Sequence, residues 1–205
     1  MNTLETSQQI ASDRYRACMS QIPQSLVVRE KKLLKSCMKS NHDPIKMLWK
    51  LYAYMDDLYG FIQDYTPCKR KCSNCCWIPV SVTELDVCFI ERSLQIRRNE
   101  SRLAILPENS CPFLVSGSCS IYRYRPFVCR KNVTFDSSSK WCHAKVGANA
   151  AMPSLQFDRI ERAYYHLVNR SGANKIHDIR AVFSGCDTAS LIRTRPPHAL
   201  MHCSI

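Results

Sequence analysis

The stretch TPCKRKCSNCCWIPV, from Thr66 to Val80, holds four cysteines within nine residues: Cys68, Cys72, Cys75 and Cys76. Clustered thiols oxidise to disulfides, act as nucleophiles or ligate soft metals. Cys72-x2-Cys75 has the spacing of a metal knuckle, in which two thiolates turn back onto one ion. Cys68 lies four residues before Cys72, so one helical turn would bring it to the same side. The adjacent pair Cys75-Cys76 does not suit a single ion. Neighbouring side chains diverge in an extended chain and differ by about 100° on a helix. One of the two is expected to turn to a second metal, to another iron of a cluster, or into the core. Further ligands should therefore lie elsewhere.

The segment CPFLVSGSCSIYRYRPFVCRK supplies Cys111, Cys119 and Cys129, and Cys142 follows with His143 beside it. Eight thiols suit two four-ligand sites or one polynuclear cluster. Arg123, Arg125, Arg130 and Lys131 accompany them, and their N–H groups can hydrogen-bond thiolate sulfur and offset its charge. Pro126 is placed to start a short turn carrying Cys129. His143 is a ligand, a proton carrier or a structural residue. The metal stays open between zinc and iron. The distal cysteines are spaced more widely than in paired zinc knuckles, and iron–sulfur ligation often joins a tight local group to a remote cysteine.

The order C-x3-C-x2-C-C, then V-x-x-T-E, then C-P-F-L…G-x-C-x-I-Y-x-x-R-P-x-x-C-R, resembles the YkgJ-like cysteine-cluster family. The matching residues are Cys68, Cys72, Cys75, Cys76, Val82, Glu84, Cys111, Pro112, Phe113, Leu114, Gly117, Cys119, Ile121, Tyr122, Arg125, Pro126, Cys129 and Arg130. The resemblance covers residues 68–142, with Cys142 matching a later family cysteine loosely. It implies a zinc- or iron-chelating domain, with an iron–sulfur cluster as one form. Tyr122, Arg125 and Arg130 would surround the eight thiolates. A flagellin lysine N-methylase has a similar cluster in a larger protein, but the five glycines here are scattered and no G-x-G occurs.

Three functions compete: a structural or redox metal-cluster domain, a cluster-dependent protein-modifying enzyme of the lysine-methylase kind, and a zinc-dependent nucleic-acid-binding module. The formal charge of +12 favours the third only weakly. Residues 68–145 carry thirteen Lys/Arg against six Asp/Glu. A tetrathiolate zinc site has a net charge of about −2, so part of that excess is expected to neutralise bound metal. A protein partner is also possible. No apolar run approaches a membrane span, and the N-terminus MNTLETSQQIASDRYR has no apolar signal region. The expectation is a soluble, cytoplasmic protein whose thirteen cysteines are reduced.

The elements that must hold this centre read as helices. Helices are expected near 4–20 and 26–39, separated by Pro23. Asp43-Pro44 is a helix start, and Ile45, Leu48, Tyr52, Met55, Tyr59 and Ile62 follow at spacings of 3, 4, 3, 4 and 3, one stripe of a packed helix. Ser81-Val82-Thr83-Glu84 fits a capping box, with a helix to about residue 99. Residues 100–142 look irregular. Ile160, Ala163, Tyr164, Leu167 and Val168 form a further stripe ended by Gly172, and a shorter helix is expected near 174–183, before an extended tail. Cys18, Cys37, Cys88, Cys186 and Cys203 are read as structural or incidental. The expected fold is mainly α with little β: helical segments 1–66 and 146–205 frame an irregular cysteine-rich centre, 67–145, in one compact domain.

Overall fold

A computed structural model describes residues 3–39, 42–99, 110–147 and 150–186. It is 59% helix and 7% strand, so the mainly α expectation holds. Helix α1 (Leu4–Ser20) begins at Thr3, whose hydroxyl accepts from the Thr6 N–H at 3.2 Å. Helix α2 (Gln24–Cys37) starts after Pro23. Helix α3 (Pro44–Ile62) is capped as expected: the Asp43 carboxylate accepts from the Ile45 N–H at 2.9 Å, and Pro44, which has no N–H, opens the first turn.

The stripe on α3 is buried apart from Tyr59, which is half-buried. Met47, Leu51, Tyr54 and Leu58 are buried too, so the covered arc is wider than one stripe. The reason is that α3 is packed by α2 and also by α7 (Asp158–Ser171). Helix α7 buries the expected Ile160, Ala163, Tyr164, Leu167 and Val168, and ends at Gly172 with φ of 71°, where a side chain would be strained.

Two expected helices are corrected. Residues 81–83 form strand β1 (Ser81–Thr83), and helix α4 runs only over Glu84–Leu94, stopping where Gln95 turns left-handed. Thr83, not Ser81, is the N-cap, and Asp86 is its reciprocal partner. Likewise 174–183 divides into strand β4 (Ile176–Asp178) and the single turn α8 (Ile179–Val182). The two strands pair antiparallel, with Val82 opposite His177, and the Glu84 N–H donates to Lys175 O at 2.8 Å. This pairing keeps 81–83 extended and moves the helix start two residues on.

Between these lie a hairpin, β2 (Leu114–Val115) and β3 (Ser118–Cys119), and the short helices α5 (Phe127–Lys131) and α6 (Ala144–Gly147). The hairpin turns through Ser116 and Gly117, with φ of 49° and 72°, the two positive values a type I′ turn requires. The expected tail, Cys203 and part of the 100–142 stretch lie outside the described residues. Among the described residues no helix is long and apolar enough to cross a membrane.

Candidate metal centre

The first cysteine group is shaped by a turn and a 3-10 helix. The Cys72 N–H donates to Lys69 O at 2.8 Å, and Lys71 has φ of 81°. A reversing turn therefore separates Cys68 from Cys72, in place of the expected helical turn. Asn74–Trp77 is the 3-10 helix, closed by the Cys76 N–H on Ser73 O at 2.9 Å. Cys68 is fastened from behind: its N–H donates to the Thr66 hydroxyl at 3.0 Å, Thr66 donates to Thr134 O at 2.7 Å, and the Tyr59 hydroxyl donates to Cys68 O.

The distal cysteines are carried back to this segment by backbone and side-chain contacts. The Cys111 N–H donates to Cys76 O at 2.8 Å. Cys119 sits on β3 opposite Leu114, between the buried anchors Phe113 and Ile121. Cys129 rides on α5, whose N-cap is Pro126. Cys142 ends the 3-10 turn Lys140–Cys142, which docks on the first group through the Asn74 amide, a donor to Ser139 O at 2.8 Å and to its hydroxyl at 3.1 Å.

All eight thiols are half-buried and free. Their mutual electrostatic influence sorts them into two groups. Cys142 lies close enough to Cys68, Cys72 and Cys75 for each of their charges to raise its pKa. Cys129 is similarly influenced by Cys111, Cys75 and Cys119. Cys75 belongs to both. Its thiol is also hydrogen-bonded to that of Cys76, which with burial pushes its pKa far up. Burial raises Cys111 and Cys142 each to about 12, with neighbouring thiols adding to the rise. It raises Cys68, Cys119 and Cys129 as well.

Arg125 and Arg130, both expected around the thiolates, part company. The charge of Arg125 lowers the pKa of Cys75, Cys119 and Cys129, so it is the cation facing the second group. Its guanidinium carbon lies 3.6 Å from the Tyr122 ring centroid. Arg130 is 4% exposed and spends its N–H groups on Asp56 and on the carbonyls of Tyr52, Arg123 and Arg125. It braces α5 against α3 and reaches the thiols only at longer range, through Cys119. Tyr122 hydrogen-bonds Tyr59, the residue that holds Cys68 O. His143 Nδ1 accepts from the Lys145 N–H at 3.2 Å.

Cys18, Cys37 and Cys88 are core residues at 0–1% exposure. The Cys186 thiol donates to Arg97 O at 3.2 Å. Among the side chains that organise the centre and were not singled out from sequence are Thr66, Asn74 and Asp86. A T-x-x-D capping pattern was there to flag Asp86; nothing local flags Asn74.

A cavity of about 350 Å³ is lined by Cys75 and Cys129 together with Val80, Phe127, Lys131 and Tyr165. As they stand, no three His, Cys, Asp or Glu side chains among the described residues are drawn together tightly enough to grip an ion. The donor set nonetheless fits zinc or iron: eight soft sulfur donors, half-buried and free of disulfides, with a cation beside one group.

Residues 67–144 match the profile of the CxxCxxCC family, described as "Putative zinc- or iron-chelating domain". No curated protein and no solved structure gives a significant match to the chain.

Proposed function

We propose that this protein chelates zinc or iron through Cys68, Cys72, Cys75, Cys76, Cys111, Cys119, Cys129 and Cys142. The observation that carries this reading is the return of the distal cysteine segments to the first group, through the Cys111 N–H on Cys76 O at 2.8 Å and the Asn74 amide on Ser139 O at 2.8 Å. Cys68, Cys72 and Cys142 form one side, Cys111, Cys119 and Cys129 the other, and the vicinal Cys75-Cys76 pair stands between them. This supports a centre of two metals, or one polynuclear cluster, over a single four-thiolate ion. Arg125 offsets thiolate charge on the second side. Zinc would supply a closed cross-link between the segments, and iron a redox couple. The reading also suits a reducing compartment, the cytoplasm, where free thiols persist.

The test is anaerobic purification followed by metal analysis, a visible spectrum and titration of native thiols. The expected result is stoichiometric zinc or iron, with the eight thiols protected until the metal is removed. Less than one metal per several chains, with every thiol reacting freely in the native protein, would overturn the assignment. A colourless zinc protein and a brown, oxygen-sensitive iron protein are told apart by the same sample.

A further inference from the structure

Asp86 is 1% exposed, and its carboxylate gathers neutral donors from four parts of the fold. Oδ1 accepts from the Tyr52 hydroxyl on α3 and from the Phe127 N–H on α5, the latter at 3.2 Å. Oδ2 accepts from the Tyr164 hydroxyl on α7 at 2.5 Å and from the Thr83 N–H and hydroxyl at 3.4 and 3.3 Å. Burying a carboxylate is costly unless its lone pairs are satisfied, and burial does raise this one's pKa against the hydrogen bonds that favour its charge. Four helices are fixed relative to one another through this one group.

The contact with α5 bears on the metal centre. Helix α5 has five residues, far too few to hold itself together. Its N-cap is Pro126, which offers no side-chain cap. Asp86 serves in place of that cap, and the Phe127 ring stacks on Tyr164, a second partner of the same carboxylate, with centroids 4.2 Å apart. Cys129 is two residues further on, beside Cys75, Cys111 and Cys119.

We propose that Asp86 is a positioning residue for the metal centre: by capping α5 it sets the Cys129 thiol against the other thiols of its group. This rests on the thiolate reading above. The full chain, loaded anaerobically with cobalt(II) in place of the native metal, is compared as wild type, D86N and L167A. L167A serves as the control for simple loss of stability, since Leu167 is a fully buried α7 residue outside this hydrogen-bond network. Cysteine alkylation is followed residue by residue by mass spectrometry, alongside the cobalt–thiolate absorption and the helical circular dichroism.

D86N is expected to keep its helical signal and to alkylate Cys129 at least tenfold faster than wild type. Cys68, Cys72 and Cys142 should stay protected and the cobalt spectrum should change. L167A should unfold at lower temperature with Cys129 still protected. A folded D86N with wild-type Cys129 protection and spectrum overturns the inference and leaves the metal reading standing, as does equal exposure of all eight thiols in both variants. A wild-type chain that takes up neither cobalt(II) nor, on anaerobic reconstitution with iron and sulfide, iron overturns both. If D86N does not fold, the Y52F/Y164F double variant, which strips two donors from the carboxylate, is read by the same criteria: early release of Cys129 supports the inference, and uniform release overturns it.

Discussion

Lys71 adopts a backbone conformation that favours glycine, with φ of 81° in the turn between Cys68 and Cys72. A side chain there costs about 1–2 kcal/mol relative to a right-handed conformation. Lys71→Gly is therefore expected to stabilise the fold by about 1 kcal/mol, checked by urea unfolding of the metal-loaded protein; a loss of stability would mean that the lysine contributes more than its backbone costs. The thiols carry a second prediction at this scale. Cys111 and Cys142, with pKa raised to about 12, are protonated at neutral pH in the metal-free protein, so metal must displace their protons. Metal affinity should fall as pH falls, by about tenfold per pH unit for each proton displaced. Competition with a chelator across a pH series measures this, and a flat profile would mean that these thiols are not ligands. Residue types and spacing were enough to nominate the eight cysteines. They could not show the reversing turn at Lys71, because lysine is a poor marker of left-handed backbone.

At the scale of elements, helix stripes were legible and strands were not. The α3 and α7 faces repeat every three to four residues, which is a local signal. The β1–β4 pair joins residues more than ninety apart in three-residue strands, and no local pattern specifies such a pairing. What fastens that pair is Glu84, at the head of α4. Its carboxylate binds His177 Nε2 at 2.7 Å and the Arg98 guanidinium at 2.6 Å, and Arg98 also binds Glu91. Burial works to raise the Glu84 pKa, but hydrogen bonds and charge from Arg98 and His177 outweigh it and hold the group at about 2, against an ordinary 4.5. Because the folded value is the lower one, the unfolded chain takes up a proton first as the solution is acidified. The contribution is complete above about pH 4.5 and is lost as pH falls through about 2. Glu84→Gln should lower the melting temperature at neutral pH and converge with wild type near pH 2. A pH-independent difference would assign the loss to packing.

Across the whole molecule, the cysteine centre and the helical core are held by different forces. Leu48, Leu51 and Tyr52 on α3 and Leu167 and Val168 on α7 are buried in the helical core, and truncating one such leucine costs about 2–5 kcal/mol. The centre consists of short pieces: a reversing turn, three 3-10 turns, a two-residue-stranded hairpin and the short helices α5 and α6. None is long enough to be stable alone. They are tied to the core at a few points, among them Thr66 to Thr134, Asp86 to Phe127 and Arg130 to Asp56. The framing of an irregular centre by helices could be read from composition and periodicity, but these ties could not, since each joins residues more than forty positions apart. Metal removal should therefore act unevenly. Chelation is expected to leave most of the helical circular dichroism, which comes from α1, α2, α3, α4 and α7, while amide hydrogen exchange accelerates across 67–80 and 110–147. The amides of α3 and α7 should keep their protection. Cooperative loss of helix on chelation, with α3 exchanging as fast as the cysteine segments, would show instead that the metal is the foundation of the entire fold.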